Sequence, residues 1–269
     1  MARCFYLREE LPCFIGESNI IHDLMEYIAV ISKSPDTPVL IQGETGTGKE
    51  IIASTIHQRS PNFKGPFVTV NCAAIPKDLL ESELFGYEKG AFSGASTTGK
   101  QGLIESAENG TLFLDEVGDL RADAQAKLLR FLEDGEFYKV GSTTRQRMVT
   151  RIVSATNKDL ELMVSNETFR KDLYFRLGVI KIQVPSLGER QNDVVLLARY
   201  FLHTFNEKFE KKLTNISDEA AELLKLYSWS GNVRELRNMM ERAVLTATGE
   251  ELSAKDLELE GIQRGRVMG

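Results

Sequence analysis

The sequence predicts an α/β protein: a parallel sheet sandwiched between two layers of helices, followed by a small all-helical domain. Three observations lead there. Short continuous apolar runs alternate with helical patterns from about residue 14 to residue 188. From Pro185-Ser186-Leu187-Gly188-Glu189-Arg190 onward, every segment carries helical periodicity. A glycine-rich turn, Gly43-Glu44-Thr45-Gly46-Thr47-Gly48-Lys49-Glu50, joins the first apolar run to a helical one.

The expected strands are Val39–Gln42, Phe67–Val70, Thr111–Leu114, Arg151–Ala155 and Val179–Val184. Continuous apolar runs of this length, separated by helices, are the mark of a parallel sheet buried on both faces. Between them lie the expected helices Glu50–Gln58, Lys77–Leu84, Gly102–Ala107, Ala122–Glu133 and Asp159–Val164. In Ala122–Glu133, Ala124, Leu128, Leu129 and Leu132 recur on one face, with Lys127, Arg130 and Glu133 beside them. The helical domain reads as Asp193–Glu207, Ser217–Tyr227, Asn232–Ala247 and Ala254–Leu259. Ser217 starts the second of these, and Asn232 with Glu235 three residues on has the spacing of a capping box. The expected division is a tail over 1–13, an α/β domain over 14–188, a helical domain over 189–262 and a tail over 263–269.

At 269 residues the chain can bury a substantial core, and 42% hydrophobic with 27% charged residues is ordinary for a globular protein. The net charge of −6 argues against a dedicated DNA-binding surface. Cys4, Cys13 and Cys72 are odd in number and lack a C-x-x-C pair, so neither a disulfide framework nor a zinc site is expected. No apolar run approaches the ~20 residues that span a bilayer, and the first ten residues lack a signal-peptide core. A cytoplasmic protein with no membrane partner is the expectation.

The glycine-rich turn is suited to the phosphates of a nucleoside triphosphate. Its glycines let the backbone curl so that successive N–H groups point inward at an anion. The following helix adds the positive end of its dipole. Lys49 supplies a point charge for the β- and γ-phosphates. Glu50 stands where a Ser or Thr hydroxyl usually binds Mg²⁺. Magnesium must then lean on Asp115, phosphate oxygens and water, or on the carboxylate of Glu50.

The run Thr111-Leu112-Phe113-Leu114 ends in Asp115 and Glu116. Alone, such a pair is commonly a helix cap. Downstream of a phosphate loop it reads differently, because ligands of an open α/β sheet sit beyond the carboxyl ends of its strands. Asp115 is then placed to hold Mg²⁺, directly or through water, and Glu116 to orient and deprotonate the attacking water. Thr156 and Asn157, at the end of another strand, would lie at the same edge. Taken by themselves, Asn71 is a turn-former, Arg170 and Arg176 are surface ion-pair partners, and Ile15 and Gly16 are packing residues. Phe92, in the small-residue stretch Gly90-Ala91-Phe92-Ser93-Gly94-Ala95, is either tucked into its own domain or offered to a partner.

The phosphate loop with Glu50, the Asp115-Glu116 pair and the helical domain resemble an AAA+ ATPase. Within that group, about residues 14 to 260 are similar to the central domain of NtrC-type bacterial enhancer-binding proteins, activators of sigma-54 RNA polymerase. Glu83-Leu84-Phe85-Gly86-Tyr87-Glu88-Lys89-Gly90-Ala91-Phe92-Ser93-Gly94-Ala95 carries the most specific likeness: it is similar to the family's G-A-F-T-G-A loop, with Ser93 for Thr. The resemblance implies an ATPase that forms ADP and phosphate with Mg²⁺, in a homo-oligomeric ring, expected as a hexamer. It implies that Gly90–Ala95 contact the sigma factor, with Phe92 as the apolar contact and Ser93 as a hydroxyl donor. Asn71 would pair with Glu116 in one nucleotide state and relay that state to the loop. Thr156 and Asn157 match the first sensor, and Arg234, in Trp229-Ser230-Gly231-Asn232-Val233-Arg234-Glu235-Leu236, matches the second. Ser230 stands where the family usually has proline. Arg170 and Arg176 match the arginine fingers that complete a neighbour's site, and Ile15 and Gly16 the adenine-side segment. Residues 136–147 resemble a second hairpin or loop insertion near the ring's pore.

The implied function is remodelling of sigma-54 holoenzyme from closed to open promoter complex, within two-component regulation of transcription. Neither an N-terminal regulatory domain nor room for a helix-turn-helix after residue 248 is seen in the sequence, so direct sequence-specific DNA binding is not expected. Two rival readings are a different AAA+ machine, such as an unfoldase or helicase loader, and a non-hydrolysing nucleotide switch. The signature loop argues against the first, and Glu116 with the two arginines against the second.

Overall fold

The computed structural model describes residues 14–76, 78–91, 98–190 and 192–257. In chain order the elements up to residue 184 are α1 (Asn19–Ile31), β1 (Val39–Gln42), α2 (Lys49–Gln58), β2 (Phe67–Asn71), α3 (Leu80–Phe85), α4 (Leu103–Ser106), β3 (Thr111–Asp115), α5 (Ala122–Asp134), β4 (Glu136–Phe137), β5 (Gln146–Arg147), β6 (Arg151–Thr156), α6 (Leu160–Ser165), α7 (Lys171–Leu177) and β7 (Ile180–Gln183). The last three helices are α8 (Asn192–Phe209), α9 (Asp218–Leu226) and α10 (Asn232–Thr246). Two compact units result: one of residues 26–43 and 49–184, the other of residues 14–25, 44–48 and 185–257. The phosphate-loop residues Glu44–Gly48 thus group with the helical region, while the strand before them and the helix after them group with the sheet.

Five parallel strands in the order β2-β3-β6-β1-β7 form the sheet of the first unit. The three middle strands are almost wholly buried, which is why β1 and β3 run nearly continuously hydrophobic instead of alternating; β6 also buries Arg151, Ser154 and Thr156. Each expected strand is present, with ends shifted by one residue at most. Register aligns the strand ends: Gln42 lies beside Thr156, and Asn71 beside Asp115. One edge of the sheet therefore collects Asn71, Asp115, Thr156 and the start of the phosphate loop. β4 and β5 pair antiparallel, so residues 136–147, expected as a hairpin or a loop insertion, begin and end in a two-stranded pair.

At the opposite edge Arg151, the first residue of β6, is fully buried. Its guanidinium donates to the carbonyls of Ile31 (3.1 Å) and Ser32 (3.3 Å), satisfying the C-terminal end of α1. Burial pulls its pKa down to about 10. Beside it, His57 shares a 2.9 Å hydrogen bond with the Thr111 hydroxyl, and burial, then Arg151, holds its pKa below the usual imidazole value. Arg151→Met keeps most of the stem but leaves two buried carbonyls without these donors. We expect a loss of about 2–4 kcal/mol, read as a lower denaturant midpoint at unchanged slope.

The second unit packs α8, α9 and α10 around Phe201, Phe205, Leu224, Trp229, Leu236 and Met240. The Trp229 indole donates to the Leu224 carbonyl at 2.8 Å, which lets its ring sit in the core with its polar atom satisfied. Ser217 caps α9 as expected, its hydroxyl accepting from the Ala220 N–H at 3.2 Å.

Three helix expectations differ from the structure, and two helices were not expected. Among the described residues of the segment expected as Lys77–Leu84, the helix begins at Leu80, because residues 78 and 79 form a turn closed onto the Pro76 carbonyl. Within the expected helix Ala254–Leu259, the described residues 254–257 are not helical: Asp256 accepts from the Ser253 N–H and hydroxyl, favouring a local turn. Asn232 does not cap α10. It is the first helical residue, and the Glu235 carboxylate reaches back to the Gly231 N–H instead, at 2.8 Å. Helices α1 and α7 have no counterpart among the expected ones, although Ile21, Met25 and Ile28 of α1 follow a helical spacing. Among the described residues no helix is long and apolar enough to cross a membrane.

Candidate nucleotide site

In the sheet unit, the chain leaves β1 at Gly43, whose N–H bonds the Thr156 carbonyl at 3.3 Å, and resumes at Lys49 as α2 begins. The buried Lys49 ammonium donates to the Gly43 carbonyl at 2.9 Å, which holds the lysine against the turn. It lies 4.0 Å from the Glu116 carboxylate. The other Glu116 oxygen accepts from the Asn157 N–H at 3.1 Å. The Thr156 hydroxyl accepts from the Lys158 N–H at 3.0 Å, which fixes the turn that presents Asn157. These residues therefore form one connected constellation around Glu116.

The backbone at Glu116 is left-handed, with φ of 52°. A long side chain rarely adopts this conformation, and strain of this kind concentrates at functional positions. Here it turns the chain at the end of β3, with Asp119 N–H closing onto the Glu116 carbonyl at 2.9 Å.

Asp115 is half-buried. One oxygen accepts from the Asn71 side-chain amide at 3.2 Å, while the Asn71 side-chain oxygen accepts from the N–H groups of Ala73 and Ala74. Asn71 is thus both a turn-former and a partner of the acid at the strand end. In this structure its amide bonds Asp115, whereas the family resemblance implied Glu116.

Neighbouring Cys72 is buried, its N–H donating to the Asp115 carbonyl at 2.9 Å. Its thiol is pushed up to about 12, first by burial and then by the charges of Asp115, Asp119 and Glu116. Such a concentration of carboxylates favours a divalent cation. Among the described residues no group of three His, Cys, Asp or Glu could hold a metal by itself. The donor set fits Mg²⁺, which binds through one or two carboxylates plus phosphates and water. Asp115 and Glu116 are the carboxylates at the end of β3. Glu50 is exposed in the first turn of α2.

Arg170 precedes α7 as its N-cap residue and Arg176 lies in its last turn; both are exposed. Arg170 makes a two-pronged pair with Asp172, at 3.0 and 2.7 Å, which raises the arginine's pKa and lowers the aspartate's. Arg176 donates twice to the Leu132 carbonyl in the last turn of α5, at 3.0 and 2.8 Å. Gly90 (φ 74°) and Ala91 stand where the signature loop begins. Below them, Tyr87 and Lys100 exchange two backbone hydrogen bonds, and Val140 bonds Gly86 and Glu88, so a pinched neck carries the loop. Phe92, Ser93, Gly94 and Ala95 lie outside the described residues.

In the helical unit, Ile15 packs into the core, and a Cβ on Gly16 would meet Asp193 and Ile21 at 2.9 Å. Asp193 is fully buried and accepts from the N–H groups of Glu17 and Ser18 and from the Ser18 hydroxyl, which ties down the segment after Gly16. Arg234 is exposed in the first turn of α10. Its Cβ would lie 3.0 Å from a Cβ added to Gly46, so the side chain starts beside the phosphate loop.

Sequence reading missed the roles of Asn232, Arg190 and Asp193. Asn232 donates to the Glu44 carboxylate at 2.8 Å and the Thr45 carbonyl at 3.1 Å, and accepts from the Leu187 N–H at 2.7 Å. Arg190 donates to the Thr47 carbonyl at 3.2 Å and stacks over Phe14, 5.1 Å from its ring centroid. The only trace of Arg190 and Asp193 in the sequence was a charged pair spaced three residues apart at the start of a helix.

Comparison with known proteins fits this arrangement. The sequence model described as "Sigma-54 interaction domain" matches residues 14–183, and an AAA+ ATPase lid domain matches residues 188–266. The regulatory protein AtoC of Escherichia coli (strain K12) is 50% identical over 243 residues, which is 90% of this chain and 52% of AtoC. The DNA-binding transcriptional regulator NtrC of Klebsiella pneumoniae is 46% identical over 246 residues, 91% of this chain and 52% of NtrC. The chain spans about half the length of these relatives. The crystal structure of NtrX from Brucella abortus in complex with ATP has a TM-score of 0.84 at 38% identity, covering 91% of this chain and 54% of that one. With a parallel sheet, a phosphate loop and a helical lid region, as in AAA+ P-loop NTPases, the chain belongs to the sigma-54 interaction domain family.

Proposed function

We propose that this chain hydrolyses ATP in a homo-oligomeric ring, a hexamer, and uses the cycle to remodel sigma-54 RNA polymerase holoenzyme from closed to open promoter complex. The observation that carries the reading is the constellation at the sheet edge: Lys49, Glu116 and the Asn157 N–H converge within hydrogen-bonding or ion-pair distance. Residues 14–188 form the nucleotide-binding domain and 189–262 the lid. Lys49 and the loop N–H groups of residues 43–50 hold the phosphates, and Arg234 reaches the γ-phosphate. Asp115 holds Mg²⁺, whose chemistry is to neutralise charge on the phosphate oxygens. Glu116 accepts a proton from the attacking water. Thr156 and Asn157 hold Glu116 in register, and an arginine of the adjacent subunit, Arg170 or Arg176, meets the charge developing on the transferred phosphoryl group. Ile15 and Gly16 flank the adenine. The chain acts in the cytoplasm as the central module of a two-component regulator, without sequence-specific DNA contact of its own.

Asn71 supplies the link to mechanical output. Its amide bonds the acid that ends β3, so a change at Asp115 or Glu116 reaches β2 and the chain that follows it toward Gly90. The loop Gly90–Ala95 then touches sigma-54 through Phe92, with Ser93 donating a hydrogen bond. Support comes from the family match and from the neck formed by Tyr87, Lys100 and Val140, which suits a projecting loop.

The test separates the motor from its tool. Phe92→Ala is expected to retain ATP turnover within about threefold of wild type, because it removes an apolar contact distant in sequence from the site. Open-complex formation on a sigma-54 promoter should fall to background. Unimpaired open-complex formation by this variant would remove the contact loop from the mechanism. Failure of the wild-type chain to bind sigma-54 under a transition-state mimic would favour another AAA+ substrate.

A further inference from the structure

The phosphate loop has a partner in its own unit that the nucleotide reading does not use. Three successive carbonyls, those of Thr45, Gly46 and Thr47, accept hydrogen bonds from the helical region. The donors are the Asn232 side-chain amide (3.1 Å), the Val233 N–H (3.0 Å) and the Arg190 guanidinium (3.2 Å). The same Asn232 amide nitrogen also donates to the Glu44 carboxylate, at 2.8 Å. The loop approaches closely: a Cβ on Gly46 would stand 2.3 Å from the Gly231 carbonyl oxygen.

The direction of these bonds matters. In a planar trans peptide the C=O and the following N–H point opposite ways, and no cis peptide occurs among the described residues. Holding the carbonyls of Thr45, Gly46 and Thr47 toward the helical region therefore turns the N–H groups of Gly46, Thr47 and Gly48 away from it. Those are donors an anion-binding nest needs. A flexible glycine loop would otherwise lose entropy when it orders around phosphate.

We infer that Asn232 is a positioning residue, which presets the phosphate loop by bonding Glu44 and Thr45 and so directs the loop's N–H groups at the bound phosphates. Arg190 and the Val233 N–H complete the set. Asn232 is suited to the task. It is fully buried, its side-chain oxygen is fixed by the Leu187 N–H, and its backbone is left-handed, with φ of 53°. Among residues with side chains, Asn and Asp tolerate that conformation best. The inference rests on the proposal that this loop binds ATP.

The decisive variants are Asn232→Asp, Glu44→Gln and their combination in the full chain. Asn232→Asp keeps the acceptor for Leu187 and the backbone preference, but loses the donor and faces Glu44 with a like charge. Affinity for Mg-ATP by titration calorimetry, and KM for ATP, are each expected to weaken about tenfold, with kcat changed far less, the sign of lost ground-state binding. In the double variant, the amide introduced at position 44 donates to the carboxylate introduced at position 232, so the bond re-forms with its polarity inverted. The Thr45 carbonyl stays without its donor, so the Kd should recover only part of the loss, to about threefold tighter than Asn232→Asp alone. A purely structural asparagine would show no such rescue.

Wild-type affinity in Asn232→Asp, or a double variant as weak as Asn232→Asp, would overturn the inference. Should Asn232→Asp not fold, Glu44→Ala removes the acceptor without touching the left-handed residue. It is expected to weaken ATP binding several-fold, and an unchanged Kd would overturn the inference as well. If the wild-type chain itself bound no ATP, the nucleotide reading would fail and take this one with it. Wild-type binding with an indifferent Asn232→Asp would fail this one alone.

Discussion

Glu116→Gln is expected to lower ATP turnover by about 10²–10⁴-fold while leaving ATP binding within a few-fold of wild type. The carboxylate is half of a contact system: one oxygen accepts from the Asn157 N–H and the other faces Lys49 at 4.0 Å. Glutamine can keep the acceptor role but cannot take a proton from water. Single-turnover hydrolysis, compared with the calorimetric Kd for Mg-ATP, separates the two effects. Turnover close to wild type would remove Glu116 as the base. A parallel loss of binding would show that the substitution had disturbed the phosphate loop and not the chemistry.

Alanine at the finger arginine is expected to cost about 10³-fold or more in kcat, as for other arginines supplied in trans to phosphoryl transfer. Both candidates are exposed and neither is locked. Arg170 would have to leave an exposed pair with Asp172, which water and salt screen into a weak hold. Arg176 would leave only a neutral carbonyl. The trans character has its own readout. Subunits of Glu116→Gln carry intact arginines, and subunits of an arginine variant carry an intact base, so mixing two inactive proteins should restore turnover at mixed interfaces. Absence of complementation for both arginines would mean that neither acts across a subunit boundary.

Much of the sheet unit was legible because its physics is local. The apolar runs of β1 and β3 have one reading when helices separate them, and the glycine turn before Lys49 marks the ligand edge. Helix α1 was less visible because Ser18 and Asn19 introduce it softly and no motif draws attention to it. The lid's hold on the phosphate loop was not legible at all. Asn232 and Glu44 are 188 positions apart in sequence, and a buried asparagine near a helix start reads as a cap unless the fold says what else it meets. Arg170 and Arg176 were legible as candidates through their family spacing alone. Their present partners, Asp172 and the Leu132 carbonyl, follow from packing that the sequence does not display.

The left-handed backbone at Glu116 has a wider meaning. A long side chain held there carries a conformational penalty of about 1–2 kcal/mol, which a glycine would relieve. The stability of the whole chain is therefore lower than this fold allows, at the one residue we assign to proton abstraction. A sturdier version of the protein is easy to write down, and it would be an idle one.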